Sequence, residues 1–249
     1  MAQESTELVF GLHAVEAALR HQSEDVEALW IDTHRRDRGV EALRDRAEAL
    51  GIPVHSAGRK ELDQMVSGAR HQGAVARVRP AAVGSEQDLD RLLEGLGEPP
   101  FLLILDGVQD PHNLGACLRS ADAAGVHAVI APKDRAVSLT ATVRKVASGA
   151  AETVPFIQVT NLARTLEQLK QAGVWLTGLA GEADQTLYQI DLKGPLALVM
   201  GAEGSGLRRL TREHCDFLAR IPMTGTVESL NVSVAAGICL FEAVRQRRG

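Results

Sequence analysis

The chain has 249 residues, of which 45% are hydrophobic and 24% charged, and its formal net charge is −5. This length and composition are typical of a globular protein with one large or two small domains. The acidic balance excludes a protein that grips nucleic acid mainly through charge, and the lack of any uncharged run of about 18 residues excludes a membrane-spanning helix.

Cysteine content and the N-terminal segment bear on the compartment. The three cysteines, Cys117, Cys215 and Cys239, are widely spaced and match no metal motif. Residues 1–10 lack the basic start and the apolar stretch of a secretory signal. We therefore expect a protein of the reducing cytoplasm that holds no metal.

The first 79 residues alternate between helix-like and strand-like segments. Residues 13–20 and 38–51 have the apolar spacing of helices, and Gly51 ends the second. Short strands are predicted at 26–32, 52–57 and 73–78. We expect a compact α/β domain over residues 1–79.

Residues 80–98 are rich in glycine and acidic side chains and are bracketed by Pro80 and by Pro99-Pro100. Within them, residues 88–96 have the pattern of a helical turn or two. We interpret 80–98 as a linker and expect the domains on its two sides to move relative to each other.

Residues 99–249 have a different pattern, in which strands and helices alternate. The run "FLLILDGV" at 101–108 is typical of a strand buried on both faces of a parallel sheet. Further strands are predicted at 126–132, 153–159, 173–180, 195–201 and 217–222, and helices at 110–125, 138–148, 161–172, 206–213 and 231–246. The alternation predicts an α/β domain with an open parallel sheet covered by helices. Ligands bind beyond the C-terminal ends of such strands, so the loops after Leu105, Met200 and Ile221 are the expected site.

The first of these loops leads into the helix "DPHNLGACLRSADAAG". Asp110 and Pro111 fit the N-cap and first helical positions. The apolar stripe that faces the sheet consists of Leu114, Cys117, Leu118 and Ala121. Gly115 lies off that stripe and would let another backbone or a substrate approach. Asn113 and Arg119 are the polar residues near this open side, although a helix-start asparagine and a surface arginine are the simpler interpretations.

The second loop, "GAEGSG" at 201–206, has three glycines around Glu203. Its spacing is G-x-x-G-x-G, which matches neither common nucleotide-binding loop, so phosphate binding is poorly supported. The three glycines indicate that the backbone of this loop closely approaches another part of the protein or a ligand. Glu203 would accept a hydrogen bond from an arginine, a hydroxyl or an amide. A tight surface turn is the alternative.

The third loop precedes the helix predicted over 231–246, in which residues 232–241 carry no charge. Ser229 or Asn231 can cap this helix. Apolar side chains lie on every side of this helix, so the sheet can bury only one of its faces. We infer that a second copy of the chain buries the opposite face in a homodimer.

Together the three loops resemble, in order, the motifs of the SpoU (TrmH) branch of the SPOUT RNA methyltransferases. The matching motifs are N-x-x-x-x-x-R, G-x-E-G-x-G and I-P-M…S-L-N-V-S, and the resemblance covers 101–249. The segments "VFGLHAVEAAL" and "RHQGAVARV" are similar to the ends of the L30-like substrate-binding domain of members that methylate 23S rRNA.

The resemblance implies a C-terminal parallel-sheet domain with a deep trefoil knot and a small N-terminal α/β domain of the L30-like type. It implies a cytoplasmic homodimer that transfers a methyl group from S-adenosyl-L-methionine to the ribose 2'-hydroxyl of a guanosine in 23S rRNA. The implied cofactor-binding residues are Gly201, Ile221 and Leu230, with the strand end at Leu179-Ala180 as a further candidate. The implied catalytic residues are Asn113, Arg119, Glu203, Ser229 and Asn231.

Our hypothesis for Arg119 is that it stabilises the developing alkoxide or holds the adjacent phosphate. A charged guanidinium has no lone pair and therefore cannot accept the hydroxyl proton. Glu203 and Asn113 would orient Arg119, and Ser229 and Asn231 would position the ribose or the loop.

Three alternatives remain at this point. The substrate could be a tRNA or another rRNA nucleotide, or the chain could be a non-catalytic RNA-binding protein. A nucleotide-dependent oxidoreductase is disfavoured because no G-x-G-x-x-G follows a strand. Basic stretches at 34–38, 70–73 and 208–212 are candidate RNA contacts, although a solvated surface explains them as well.

Overall fold

The computed structural model describes residues 6–21, 23–35, 37–79 and 83–249. The chain divides into two compact units, Met1–Ala82 and Val83–Gly249. Within the described residues, none of the helices is long and apolar enough to cross a membrane.

The described part of the first unit contains a four-stranded sheet and three α-helices. The strands are β1 (Glu7–Phe10), β2 (Val26–Asp32), β3 (Val54–Ala57) and β4 (Ala74–Val78), and the helices are α1 (Leu12–His21), α2 (Arg38–Ala49) and α3 (Arg59–Met65). The sheet order is β1-β4-β2-β3, with β3 parallel to β2 and the other pairs antiparallel. The predicted α/β character of this segment is confirmed, whereas β1 and α3 are short elements that the sequence pattern did not predict.

Local signals explain why α2 begins and ends where it does. The side chain of Asp37 accepts a hydrogen bond from the Val40 backbone N–H at the start of the helix. Gly51 follows the helix with φ of +71°, a left-handed conformation that glycine adopts without strain. Val40 and Leu43 are buried on the face that packs against the sheet.

Residues 83–249, which are fully described, form a seven-stranded parallel sheet covered by helices. The strands are β5 (Phe101–Asp106), β6 (Ala128–Pro132), β7 (Phe156–Val159), β8 (Trp175–Leu179), β9 (Gln185–Thr186), β10 (Leu196–Gly201) and β11 (Phe217–Arg220). The helices are α4 (Glu86–Gly95), α5 (Pro111–Ala124), α6 (Ala141–Ala147), α7 (Ala150–Thr153), α8 (Leu162–Gln171), α9 (Arg209–His214) and α10 (Val232–Arg248). The order β7-β6-β5-β10-β8-β11-β9 confirms the predicted open parallel sheet.

The central strand β5 is buried along its whole length. Leu103 and Leu105 belong to the apolar cluster on one face of the sheet, and Leu102 and Ile104 belong to the cluster on the other face. Both faces are therefore covered, which explains why the sequence of β5 is continuously apolar rather than alternating.

The predicted linker over residues 80–98 does not hold for 83–98, which are part of the second unit. Gly84 exchanges backbone hydrogen bonds with Phe156 and Gln158 at 2.9 Å each, and so adds to the edge of the sheet. Helix α4 buries Leu89 in the core. The physical reason is that the leucines of this acidic stretch lie on one helical face and pack beside β7. Residues 80–82 lie outside the described residues.

Helices α5 and α6 approach closely at Gly115. A Cβ at Gly115 would lie 2.7 Å from Val146 Cβ and 2.8 Å from the Val143 carbonyl oxygen. Gly115 was predicted to allow the close approach of another backbone or a substrate, and the segment that approaches it is α6.

We predict that Gly115→Ala lowers the free energy of unfolding of the second unit by about 1–3 kcal/mol, because the Val143 backbone cannot move aside without shifting α6. The measurement is urea unfolding followed by Trp175 fluorescence in a Trp30→Phe background, since the chain has only these two tryptophans. Gly95→Ala is the matched control, because a Cβ there meets nothing within 4 Å. Equal unfolding midpoints for the two variants would contradict the prediction.

Candidate active site

The C-terminal ends of four neighbouring strands lie on the same side of the parallel sheet. Strands β5, β10, β8 and β11 are consecutive neighbours and run in the same direction. The segments after Asp106, Gly201, Leu179 and Arg220 therefore leave the sheet side by side. Three of these four segments contain the loops that the sequence analysis singled out.

The glycine-rich loop after β10 is a tight turn closed by its own backbone. Ala202 and Gly206 exchange backbone hydrogen bonds of 3.1 and 2.9 Å. A Cβ at Gly201 would lie 2.1 Å from the carbonyl carbon of Gly206, so no other residue fits there. Gly204 and Gly206 have φ of +78° and +65°. The backbone that comes close to Gly201 is thus the returning arm of the loop itself.

A buried carboxylate fixes the far end of this loop. Asp106 is fully buried at the end of β5, where its Oδ2 accepts the Arg208 backbone N–H at 3.0 Å. The guanidinium Nε of Arg208 lies 2.7 Å from Asp106 Oδ1. The sequence analysis missed this pair, and its one available signal was an aspartate at the end of an otherwise apolar strand.

Asn113, Glu203 and Asn231 form one hydrogen-bonded cluster. Glu203 Oε1 accepts the side-chain amide of Asn113 at 2.7 Å and that of Asn231 at 2.9 Å. The Asn231 amide also donates to Asn113 Oδ1 at 2.9 Å. The contacts join α5, the glycine-rich loop and the start of α10. Three of the five predicted catalytic residues therefore lie together.

Asn231 is also the N-cap of α10. Its Oδ1 accepts the backbone N–H of Ser233 at 2.9 Å and the Ser233 hydroxyl at 2.6 Å. With the carbonyl oxygen used for capping, the amide nitrogen is free to donate to the cluster. Of the two predicted caps, Asn231 rather than Ser229 performs this role.

Arg119 and Ser229 are not part of the cluster within one chain. Arg119 is exposed on α5, and Ser229 is exposed in the segment between β11 and α10. Among the described residues, no hydrogen bond or ion pair links Arg119 to Asn113 or Glu203. The hypothesis that these two residues orient Arg119 therefore has no contact to support it within a single chain.

A cavity of about 330 Å³ lies next to the cluster. Asn113 and Glu203 line it, together with Gly107, Gln109 and Ser205. Its volume is at the lower end of the range for small-molecule sites. Because the lining includes amide and carboxylate groups as well as apolar atoms, the cavity suits a polar ligand of limited size.

The predicted cofactor-binding residues also lie at the C-terminal ends of these strands or in the segments that follow them. Gly201 ends β10, Leu179 ends β8 and Ile221 follows β11. Leu179 and Ile221 are half-buried and pack against the apolar core. Leu230, also half-buried, immediately precedes the Asn231 cap. These residues offer backbone groups and apolar surface in neighbouring strand-end segments.

The thiol of Cys117, on α5, is buried. Burial and, to a smaller extent, the nearby Glu203 carboxylate raise the pKa of Cys117 to about 12. The side chain therefore stays a protonated thiol near neutral pH. In the described part of the chain, no group of three His, Cys, Asp or Glu side chains is arranged to hold a metal ion.

Comparison with known families assigns both halves of the chain. A model described as "SpoU rRNA Methylase family" matches residues 100–241. The chain belongs to the SpoU rRNA methylase family. A second model, described as "RNA 2'-O ribose methyltransferase substrate binding", matches residues 8–83. The family resemblance of the three loops is thereby confirmed.

Curated relatives match this chain over almost its full length. The 23S rRNA (guanosine-2'-O-)-methyltransferase RlmB of Pseudomonas aeruginosa is 62% identical over 241 residues, which is 97% of each chain. RlmB of Escherichia coli strain K12 is 59% identical over 242 residues, covering 97% of this chain and 99% of the relative.

Solved structures of SpoU methyltransferases share the fold. AviRb from Streptomyces viridochromogenes, in complex with AdoMet, has a TM-score of 0.79 at 25% identity and covers 97% of this chain and 90% of its own. The AdoMet-bound rRNA methyltransferase from Sinorhizobium meliloti has a TM-score of 0.77 at 26% identity, covering 96% and 87%.

We predict that Asn231→Asp lowers the free energy of unfolding by about 2 kcal/mol, because it replaces an amide donor by a carboxylate beside Glu203 while keeping the cap acceptor. The matched control is Asn161→Asp, since Asn161 caps α8 by accepting the Arg164 N–H. Urea unfolding would measure both, and a loss of the same size in the two variants would show that only the capping role matters.

Proposed function

We propose that this chain methylates the ribose 2'-hydroxyl of a guanosine in 23S rRNA, with S-adenosylmethionine as methyl donor. The observation that carries the proposal is 62% identity to a 23S rRNA (guanosine-2'-O-)-methyltransferase over 97% of both chains. The first unit binds the RNA, and the second unit transfers the methyl group. A tRNA substrate is less favoured, because the Aquifex aeolicus TrmH/SpoU tRNA modifying enzyme covers only 66% of this chain with a TM-score of 0.55.

The strand-end residues fit S-adenosylmethionine. Gly201, Ile221 and Leu230 would hold it through backbone groups, and the half-buried side chains of Leu179 and Ile221 give an apolar surface for its adenine ring. When bound, the cofactor supplies a methyl group already activated by a sulfonium. The demand on the protein is therefore to place the acceptor in line and to remove its proton.

The cavity beside the cluster is suited to the acceptor ribose. Glu203 Oε1 is occupied by two amide donors, whereas no donor among the described residues reaches Oε2. A ribose hydroxyl that enters the cavity would donate its hydrogen bond to Oε2. Asn113 and Asn231 act as positioning residues that hold this carboxylate, and the exposed Ser229 contacts the ribose or the loop.

Arg119 keeps the role assigned to it, but it acts on RNA or on a neighbouring chain rather than through its own cluster. The guanidinium is exposed and offers planar, two-point hydrogen bonding. It is therefore available to hold the phosphate next to the target nucleotide or to stabilise the developing alkoxide.

We predict that Arg119→Lys lowers turnover at least about tenfold, because an ammonium cannot make the planar, two-point contact of a guanidinium. The assay uses 23S rRNA from cells that lack this gene and maps the 2'-O-methylated nucleotides formed by purified protein. S-adenosylmethionine affinity, measured by calorimetry, should stay unchanged.

The control for this assay is Arg91→Lys, which changes an exposed arginine of α4 that pairs with Asp88. Near-normal turnover by Arg119→Lys would exclude the proposed role. A wild-type protein that methylates no guanosine of 23S rRNA would exclude the proposed substrate.

We also propose that the second unit is knotted. In the sheet, β8 lies between β10 and β11. Helix α10, which follows β11 in the chain, nevertheless packs against α5 and β10 on the other side of β8. The segment 221–231 therefore returns across the strand ends. In our proposal this return is threaded, as in the trefoil knot implied by the family resemblance.

A homodimer is supported by the uncovered face of α10. Val234 and Phe241 are 52% and 50% exposed, and the half-buried Ile238 lies between them. The three side chains have i, i+4, i+7 spacing and form one apolar stripe. A second copy of the chain is the cover we propose for it.

We predict that Phe241→Glu converts the dimer to a monomer at micromolar concentration, because a carboxylate would have to be buried in the apolar interface. Light scattering after gel filtration measures the mass, and methyl transfer should fall together with it. Leu50→Glu, on an exposed leucine of the first unit, is the control and should change neither. A monomeric, fully active wild type would contradict the dimer.

We assign the enzyme to the cytoplasm. Its proposed substrate is ribosomal RNA, and its three cysteines are free thiols, as expected in a reducing compartment.

A further inference from the structure

The first unit contains a cavity of about 840 Å³ at one end of its sheet. Two of the basic stretches picked out from the sequence meet there. His34 and Arg35 come from the stretch after β2, and Arg70 and His71 from the stretch before β4. Arg59, at the start of α3, lines the same cavity. Arg36 of the first stretch lies outside the described residues.

Buried and strained groups hold the wall of this cavity in shape. His71 is buried, its Nδ1 accepts the Gly73 N–H at 3.0 Å, and its Nε2 lies 3.1 Å from Asp63 Oδ1. Since Nδ1 is an acceptor, Nε2 carries the proton and donates to Asp63. Gln72 has φ of +53°, and its Oε1 accepts the Leu12 N–H at 3.1 Å. A non-glycine residue in this conformation is held by its surroundings.

Arg35 is exposed, but its guanidinium is engaged by neighbouring residues of the cavity wall. Its Nη1 donates to the Gln72 carbonyl oxygen at 2.6 Å, and its Nε donates to Asp37 Oδ2 at 2.7 Å. A Cβ at Gly73 would lie 2.7 Å from Arg35 Cδ, so the glycine leaves room for this side chain. The buried Asp32 similarly uses Oδ1 to accept the His34 N–H at 2.9 Å.

Arg59 and Arg70 are different, because both are exposed and neither forms a hydrogen bond or ion pair with another residue in the described part of the chain. Two cations without protein partners therefore face a rigid, concave site. The two carboxylates in its wall, Asp32 and Asp63, are each engaged by a neighbouring donor. The local field thus favours an anion, although the whole chain is acidic.

We propose that this cavity binds one unpaired nucleotide of the RNA substrate, with Arg59 and Arg70 pairing with its flanking phosphates. The inference rests on the proposed function, and it names the contact through which the first unit recognises RNA. A cavity of this volume is within the range that encloses a small molecule. A single-stranded loop can insert a splayed-out nucleotide into such a hollow, whereas a duplex presents only its outer surface.

The test compares two double variants that remove the same charge from the first unit. One is Arg59→Gln with Arg70→Gln, and the other is Arg44→Gln with Arg46→Gln on α2, outside the cavity. Fluorescence anisotropy measures binding to unmethylated 23S rRNA over a range of KCl concentrations. Binding is read independently of methyl transfer.

For the cavity variant we expect about a hundredfold weaker binding at low salt, about tenfold for each lost charged hydrogen bond. The slope of log K against log salt should fall by about 1.4, as for two contacts to a single strand. The KM for RNA should rise while kcat at saturating RNA and the affinity for S-adenosylmethionine stay unchanged. The α2 variant should match the wild type.

Equal binding by the two double variants would overturn the inference and leave the proposed function intact if the wild type still methylates 23S rRNA. Conversely, a wild type that binds RNA through Arg59 and Arg70 but methylates nothing would overturn the proposed function alone. Arg59→Lys with Arg70→Lys guards against misfolding. It keeps both charges and should bind within about tenfold of the wild type, and binding as weak as that of the glutamine variant would contradict phosphate pairing.

Discussion

The geometry of the Asn113–Glu203–Asn231 cluster depends on one oxygen atom, Glu203 Oε1. It accepts hydrogen bonds from Asn113 and Asn231, which are 90 and 28 residues away in the chain. Since Asn231 is also the cap of α10, the same contact fixes where the last helix begins. A hydrogen bond to a charged group is stronger than one between neutral groups. The carboxylate therefore holds the three loops together through Oε1, and no donor among the described residues reaches Oε2.

The position of Glu203 is itself imposed by the backbone around it. Gly201 allows the loop to return on itself, and the buried Asp106 holds Arg208 at the far end of the loop. Burying an ionised carboxylate is unfavourable unless it is paired and hydrogen-bonded, and Asp106 has both kinds of partner from Arg208. The charge at the end of β5 thus ties the glycine-rich loop to the central strand, and the loop has little freedom to carry Glu203 away from Asn113.

Sequence patterns predicted those parts of the fold that depend on neighbours along the chain. Strand β5 and helix α5 were predicted because apolar periodicity and the Asp110 cap are local signals. The Asp106–Arg208 pair could not be predicted in this way, because its partners are 102 residues apart and neither segment contains a local signal for the pairing. For the same reason the motif resemblance brought Asn113, Glu203 and Asn231 together correctly, but it placed Arg119 with them, whereas α5 presents that side chain to solvent. The acidic composition of residues 83–98 suggested a linker because composition hides the leucine face that packs beside β7.

The exposure of Arg119 and that of Phe241 have a common explanation if, as we propose, two copies of the chain pair. Helices α5 and α10 pack against each other, and each has an exposed face, with a cation on α5 and an apolar stripe on α10. An arginine needed for a phosphate or an alkoxide must stay accessible until RNA arrives, and an apolar stripe must be covered for the chain to remain dispersed. Both requirements are met if a second copy covers the stripe and RNA enters along its border. In a single chain Glu203 is held by hydrogen bonds, whereas no such contact holds Arg119 among the described residues. In our proposal, association with a partner and with RNA removes this asymmetry.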